Sequence, residues 1–284
     1  MIMDRVLSKK EAIEFLGIDE KTFNNFFRNA GELECIPRRN DRGRFIFHES
    51  ELKKWLESYT WRTVLLNVND YAVCLDFALA QHIRGYVLSD WGSARQREFG
   101  QKITNWVKGQ LAEVAVKKFF KSEFGVDIEL DFRLYEDIVP QDIIGVKENG
   151  VMRKPKVGIG IKSSKPKSAF LILSENEVDL DTRRSDVYIF CRPDIPDDHL
   201  LRITRNRIIE VVKDQQHYSS YKEDIPKFSD IPCELAGWVD IDELEKVEAK
   251  TIPGLEGATG FRYIKKTGLL NRDKQRWQVL LDRL

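Results

Sequence analysis

Residues 157–165 read Val-Gly-Ile-Gly-Ile-Lys-Ser-Ser-Lys, and upstream of them residues 140–146 read Pro-Gln-Asp-Ile-Ile-Gly-Val. Side chains alternate along a strand, so in the first run Val157, Ile159 and Ile161 share an apolar face, while Gly158, Gly160 and Lys162 share the other. A lysine that ends a glycine-lined face has room around it for a ligand backbone. The second run opens another strand at Asp142, and Glu148-Asn149-Gly150 supplies turn residues between the two. An antiparallel hairpin is expected, and its midpoint sets Asp142 beside Lys162. From Asn149 to Ser174 the basic residues Arg153, Lys154, Lys156, Lys162, Lys165 and Lys167 occur without any acid, which suits a phosphate backbone lying across them.

Around this pair, helix and strand patterns alternate from residue 91 to the end. A helix is predicted over Gly109–Phe120, with Ala112, Ala115, Val116 and Phe119 as its buried stripe and Glu113 beside that stripe. Strands are predicted at Ile128–Leu134, Asp142–Val146, Val157–Lys162, Ala169–Leu173 and Val187–Cys191. The fold class is α/β (α+β), with a mixed sheet flanked by helices.

These runs, "GQLAEVAVKKFF", "PQDIIGV", "VGIGIKSSK" and "SDVYIF", resemble the core of the PD-(D/E)xK nuclease superfamily, in particular its restriction-endonuclease branch, over about a third of the chain. The resemblance implies a site in which a helical Glu, a strand-opening Asp, a second acid and a Lys hold Mg²⁺ and activate a water for phosphodiester hydrolysis. Position by position, Asp142 matches the strand acid, Lys162 the lysine and Glu113 the helical acid, and the Ile161 carbonyl matches the peptide oxygen that often ligates the metal. Hard oxygen ligands suit Mg²⁺, and a nearby ammonium orients or deprotonates the attacking water. Two departures stand out: Gln141 interrupts the Pro-Asp pair, and Gly160 replaces the acid two positions before the lysine. Some restriction endonucleases carry that carboxylate on the next helix instead, where Glu175 and Glu177 stand here. Ser174 and Glu177 have capping-box spacing, so Glu175 is the expected ligand.

Residues 1–58 form a separate pattern. Ser8 with Glu11 marks a helix start, Gly17 its end, and Asp19 caps a second helix after a tight turn. On that helix Phe23, Phe26, Phe27 and Ala30 fall at i, i+3, i+4 and i+7, and so do Lys21, Asn24, Asn25 and Arg28 on the other side. A basic hairpin with Arg38, Arg39, Arg42 and Arg44 precedes the strand Phe45–His48, and Ser50 caps a third helix from Glu51 to Ser58. The ordering "LSKKEAIEFLGIDEKTFNNFF" then "RRNDRGRFIFHESELKKWL" resembles an excisionase-type winged helix-turn-helix over about 50 residues. The resemblance implies base-edge contacts from Lys21, Asn24, Asn25 and Arg28 and phosphate contacts from the hairpin arginines. Residues 59–90 read as a helical connecting segment; with no Pro/Gly/Ser linker in them, a shared interface between the two units is expected. Arg95, Arg97 and Lys102 lie where they would also reach phosphates.

Composition bounds these readings. In 284 residues, 46 Lys+Arg balance 46 Asp+Glu, so attraction to nucleic acid must come from local clusters. Cys35, Cys74, Cys191 and Cys233 stand singly, which gives neither a disulfide framework nor a zinc pair. No run approaches the length of a membrane span, residues 1–5 lack the charged-then-apolar order of a signal peptide, and a cytoplasmic protein is expected. The expected function is a Mg²⁺-dependent, sequence-specific DNA endonuclease of restriction type. It would be a homodimer acting on double-stranded DNA, with a DNA methyltransferase as a possible separate partner. The rival readings are a repair or recombination nuclease of the same fold, and a non-catalytic DNA-binding regulator whose nuclease fold has decayed; Gly160 favours the latter, the retention of both Asp142 and Lys162 opposes it.

Overall fold

Caps decide where the N-terminal helices begin and end. The computed structural model describes residues 4–33, 38–39, 45–83, 99–133, 141–148, 150–212 and 223–284. Ser8 and Glu11 close the expected capping box on α1 (Lys9–Leu16), which Gly17 ends in the left-handed region at φ 63°. Asp19 caps α2 (Glu20–Asn24), and Asn25–Asn29 continue it as a π-helical turn. Phe23, Phe26 and Ala30 are buried against Leu16, Phe47, Leu52 and Trp55, so the predicted stripe makes a small core of its own. Strands β1 (Val6–Leu7), β2 (Arg38–Arg39) and β3 (Phe45–His48) form an antiparallel sheet in the order β1-β3-β2. β1 is too short for periodicity to disclose. The next helix, α3 (Glu49–Trp61), starts earlier than a Ser50 cap implies; Ser50 binds the Asp4 carboxylate instead, through both its amide and its hydroxyl.

The segment expected to connect the two units as helix contains a strand of the larger one. β4 (Thr63–Leu66) follows α3 directly and forms an edge of a four-stranded mixed sheet, ordered β4-β11-β10-β8. Here β8 is Ile159–Ser163, β10 is Val187–Pro193 and β11 is Ile231–Asp240. β10 runs parallel to β8 and antiparallel to β11. All its residues are buried, as a strand covered on both faces must be. α5 (Phe99–Phe124) lies across this sheet, with Val107, Leu111, Ala115 and Phe119 packed in the same core as Ile159, Ile189 and Leu235. The predicted Gly109–Phe120 helix is its central part. α4 (Val68–Ile83) and the C-terminal helix Lys274–Arg283 complete the helical layer, where Trp277 meets Phe119 edge-on at 5.3 Å between ring centroids. Among the described residues no helix is long and apolar enough to cross a membrane.

The expectation about strand partners is corrected. β6 (Ile143–Glu148) turns back into β7 (Val151–Arg153), not into β8, and its other neighbour is β5 (Asp127–Leu130). The turn at Gly150, φ 83°, closes a hairpin shorter than the one predicted. β9 (Phe170–Ser174) pairs with β13 (Phe261–Lys266), which also pairs with β12 (Glu245–Glu248). β8 keeps a free edge for Asp142 as a result.

Buried charges join the two units. Arg192 on β10 is fully enclosed; it pairs with Glu32 at 2.9 Å and with Glu234 on β11 through its Nε at 2.7 Å. Arg62, at the end of α3, reaches the other Glu234 oxygen at 2.9 Å. Glu32 also accepts from the Thr267 hydroxyl at 2.7 Å, and the Arg192 guanidinium lies over the Phe26 ring. The shared interface expected from the missing linker is therefore ionic at its centre, and Ala169 and Phe170 from the larger unit complete the apolar core of the smaller one.

A second buried polar group has a defined protonation state. His199, at the start of α7 (His199–Val212), is 1% exposed and lies between Tyr71 and Thr104. The Thr104 hydroxyl donates to the Gly100 carbonyl at 2.7 Å, so it accepts from His199 Nε2, which leaves Nδ1 to accept from the Tyr71 hydroxyl. Burial, then the nearby Lys108, holds the imidazole pKa below its ordinary value. The unfolded chain therefore binds this proton more readily, and stability is lost as pH falls through about 6.5 toward the lowered value. Thermal denaturation of a His199→Asn variant is expected to lose less of its midpoint between about pH 7.5 and about pH 5.5 than the wild type does. An equal loss in both proteins would assign the acid sensitivity elsewhere.

Candidate active site

Asp142 precedes β6 and sits against the free edge of β8. Its amide donates to the Ile159 carbonyl at 3.0 Å, and its carboxylate accepts from the Ile161 amide. The N–H and C=O of one strand residue point to the same side, and those of its neighbour to the other. The Ile161 carbonyl therefore lies on the Asp142 edge, while Gly158 bonds toward β10. The predicted juxtaposition of Asp142 with the end of the Lys162 strand is present, although the hairpin that was to produce it is not.

Glu113 comes from the middle of α5, which packs over β8, and it is 7% exposed. Its Oε1 accepts from Gln110 at 2.8 Å, one helical turn earlier. Burial and the negative charge of Asp142 hold the Glu113 carboxyl well above the usual carboxylate range. Asp142 is pushed up to about 6, first by burial and further by Asp131 and Glu177, against the lowering effect of Lys162 and the Ile161 amide. Asp131, at the end of β5, escaped the sequence reading. Its amide donates to the Asp142 carbonyl at 3.2 Å, and its carboxylate accepts from the Arg133 amide and twice from the Arg133 guanidinium. It falls inside the predicted strand Ile128–Leu134, where nothing in the sequence sets it apart. The region thus gathers more acid than base, and two of its acids repel each other.

Lys162 projects from β8 into this region and pairs with Glu177 at 2.8 Å. Burial works against its charge, but Glu177 and Asp142 outweigh that and raise the ammonium pKa. Glu177 belongs to α6 (Glu175–Asp179) and caps it: the Ser174 amide and hydroxyl both bond to Oε2, at 2.9 and 2.8 Å, while Oε1 serves Lys162. Burial would raise this carboxyl, yet Lys162 and Ser174 together hold it low. Glu175, expected as the migrated carboxylate, points away. It pairs with Lys246 at 3.1 Å and accepts from the Phe261 amide on β13. The capping role that made Glu177 the lesser candidate is what aims its second oxygen at the lysine.

The packing around Gly160 explains the missing acid. A Cβ at this position would lie 2.9 Å from the Ser185 hydroxyl and 3.0 Å from the Tyr188 ring. Tyr188 is the register partner of Gly160 on β10, and its hydroxyl donates to the Glu177 carbonyl at 2.9 Å. An aromatic ring that anchors α6 fills the space an acid would need.

Of the DNA-facing residues expected in the N-terminal unit, Lys21 and Arg28 are exposed, while Asn24 and Asn25 are half-buried. The Asn25 amide donates to the Lys167 carbonyl, so part of this face is engaged by the chain itself. Arg38 and Arg39 form β2, opposite Ile46 and Phe45; Arg42 and Arg44 lie outside the described residues, as do Arg95 and Arg97.

Mg²⁺ takes hard oxygens, keeps several waters and needs only one or two protein carboxylates. Among the described residues no three His, Cys, Asp or Glu side chains gather as a metal cage. Glu113 and Asp142 with the Ile161 carbonyl fit the sparser arrangement, and the raised pKa values of the two acids, each due first to burial, are what a divalent cation would relieve. No protein-family model, curated protein or solved structure matches the chain, so the chemistry of the site rests on its own geometry.

This geometry separates the two α6 acids. Glu177→Gln keeps an oxygen for Ser174 but removes the charge that holds Lys162; under the nuclease function that the sequence resemblance implies, it is expected to slow cleavage on the order of 10- to 100-fold, as loss of an orienting partner does. Glu175→Gln should leave the rate unchanged. Single-turnover cleavage of a duplex by both variants checks the pair, and a rate loss confined to Glu175→Gln would contradict it.

Proposed function

We propose that the protein is a Mg²⁺-dependent DNA endonuclease of restriction type. The observation that carries this reading is the meeting of Glu113, Asp142 and Lys162 from three separate elements at one sheet edge, with the two acids held above their ordinary pKa values. The Ile161 peptide carbonyl, on the same sheet edge, adds a third hard oxygen. Glu113, Asp142 and that carbonyl would hold the ion. When bound, Mg²⁺ supplies charge neutralisation at the phosphoryl group and acidifies a water. Lys162, held by Glu177, would orient that water and stabilise the negative charge that develops as it attacks the phosphorus. Gln110 fixes the Glu113 rotamer. The N-terminal unit, with Lys21 and Arg28 exposed, would bind the duplex, and cutting both strands calls for two copies of the chain.

The test is incubation of supercoiled plasmid with the protein in Mg²⁺ and, separately, in EDTA. Nicked or linear product in Mg²⁺ alone supports the reading; intact plasmid in both, with duplex still bound, supports the DNA-binding regulator instead.

A further inference from the structure

A crevice of about 700 Å³ separates α2 and its π-helical turn from the loop 164–169 that leaves β8, and its walls include Lys21, Asn25 and Lys167. A lysine from each of two segments distant in sequence faces one space. At its border Lys167 Nζ pairs with Asp19 at 2.9 Å, and the Lys167 carbonyl accepts from Asn25. Both partners of the ion pair are more than half exposed, 58% and 55%, and exposed pairs of this kind contribute little to stability. Asp19 does not depend on it, because its carboxylate also takes the Thr22 amide at 2.9 Å and the Thr22 hydroxyl. The acid that lines the crevice itself, Glu20, is already paired with Lys9 at 2.7 Å. Lys167 is thus the mobile member of a weak pair whose acid is fixed.

We propose that this crevice is a binding site for the phosphates of duplex DNA, in which the Asp19 carboxylate stands where a phosphate would and a phosphodiester displaces it from Lys167. The proposal rests on the reading of the protein as a DNA-acting enzyme. Lys21 offers a second, exposed cation, and Asn25 an amide donor once it leaves the Lys167 carbonyl. The ends of the loop stay anchored, through Ser164 to the Cys191 carbonyl and through the Ser168 carbonyl to Arg192, so the exchange moves its middle. That loop begins directly after the strand bearing Lys162, which places duplex binding by the N-terminal unit one connection from the catalytic lysine.

The experiment is fluorescence anisotropy of a labelled duplex against salt, in EDTA so that nothing is cut. Asp19→Ser keeps a capping oxygen and removes the competing charge, and is expected to tighten binding about two- to fivefold. Lys167→Ala is expected to weaken binding and to reduce the slope of log affinity against log salt by about 0.9. In the Lys167→Ala background Asp19→Ser should have no further effect. Equal tightening in both backgrounds, or none in either, overturns the proposal while wild-type binding persists. A wild type that binds no duplex at low salt overturns the DNA reading itself. Asp19→Asn serves as the second variant if thermal melting shows that the serine protein is not folded.

Discussion

Lys162→Ala is expected to lower cleavage on the order of 10²- to 10⁴-fold, the range over which a positioned proton-transfer group contributes. Among the described residues the ammonium is the lysine charge paired with the acids of this edge, where Glu177 holds it at 2.8 Å and Asp142 acts on it through space. Its removal takes away the group proposed to orient the water and lets the Glu177 and Asp142 carboxyls rise. The fold should persist. The side chain is one-third exposed, it lies at the end of β8, and Glu177 keeps both Ser174 bonds, so a stability loss of about 1 kcal/mol is expected from urea denaturation. Duplex binding in EDTA should be almost unchanged. Cleavage at the wild-type rate would remove Lys162 from the mechanism.

Arg192→Met is expected to cost about 3–5 kcal/mol, because two buried carboxylates lose the cation they share: Glu234 keeps Arg62, and Glu32 keeps the Thr267 hydroxyl and Arg272 at 3.8 Å. Arg192 is wholly enclosed between Glu32 of the N-terminal unit and Glu234 of β11. Methionine fills much of the volume, so the loss reports the carboxylates and not a cavity. Urea denaturation should show one transition shifted to lower denaturant. A loss below about 1 kcal/mol would mean that the two units are held by apolar contacts alone. The same joint changes how the N-terminal unit can be tested. Deleting residues 1–58 removes Glu32 and the core that receives Ala169 and Phe170, and is expected to unfold what remains. Substitutions at Lys21 and Arg28, which are exposed, probe the proposed DNA face without that damage.

The parts of this account that were legible in the sequence are those fixed by local chemistry. The caps at Ser8 and Asp19, the Phe23–Phe26–Ala30 stripe and the strand Phe45–His48 each depend on a few neighbouring residues, and the structure has them where expected. Strand partners depend on chain far away. The turn at Gly150 was read, but nothing near it says that β6 returns through β7 and that β8 takes β10 as its parallel neighbour. Asp142 still met the Lys162 strand, since it lies outside the β6 ladder and bonds to Ile159 and Ile161 across the free edge. The choice between Glu175 and Glu177 failed for a related reason. A capping box uses one carboxylate oxygen, and the sequence does not tell where the other one points. Strand β4 lay hidden in a segment read as helix because it is four residues long and flanked by helices on both sides. Arg192 and Glu234 were invisible as a pair: each is a charged residue in a strand, and only the sheet register puts them opposite one another.

The central claim is that the edge formed by Asp142, Glu113 and Lys162 cuts phosphodiester bonds. The most direct measurement compares wild type with Asp142→Asn on supercoiled plasmid in Mg²⁺, with duplex binding in EDTA followed in parallel. The substitution keeps an oxygen to accept from the Ile161 amide and removes the charge. The account predicts nicked and linear plasmid from the wild type, none from Asp142→Asn, and equal duplex binding by both; equal cleavage by the two proteins, or none by the wild type, would contradict it.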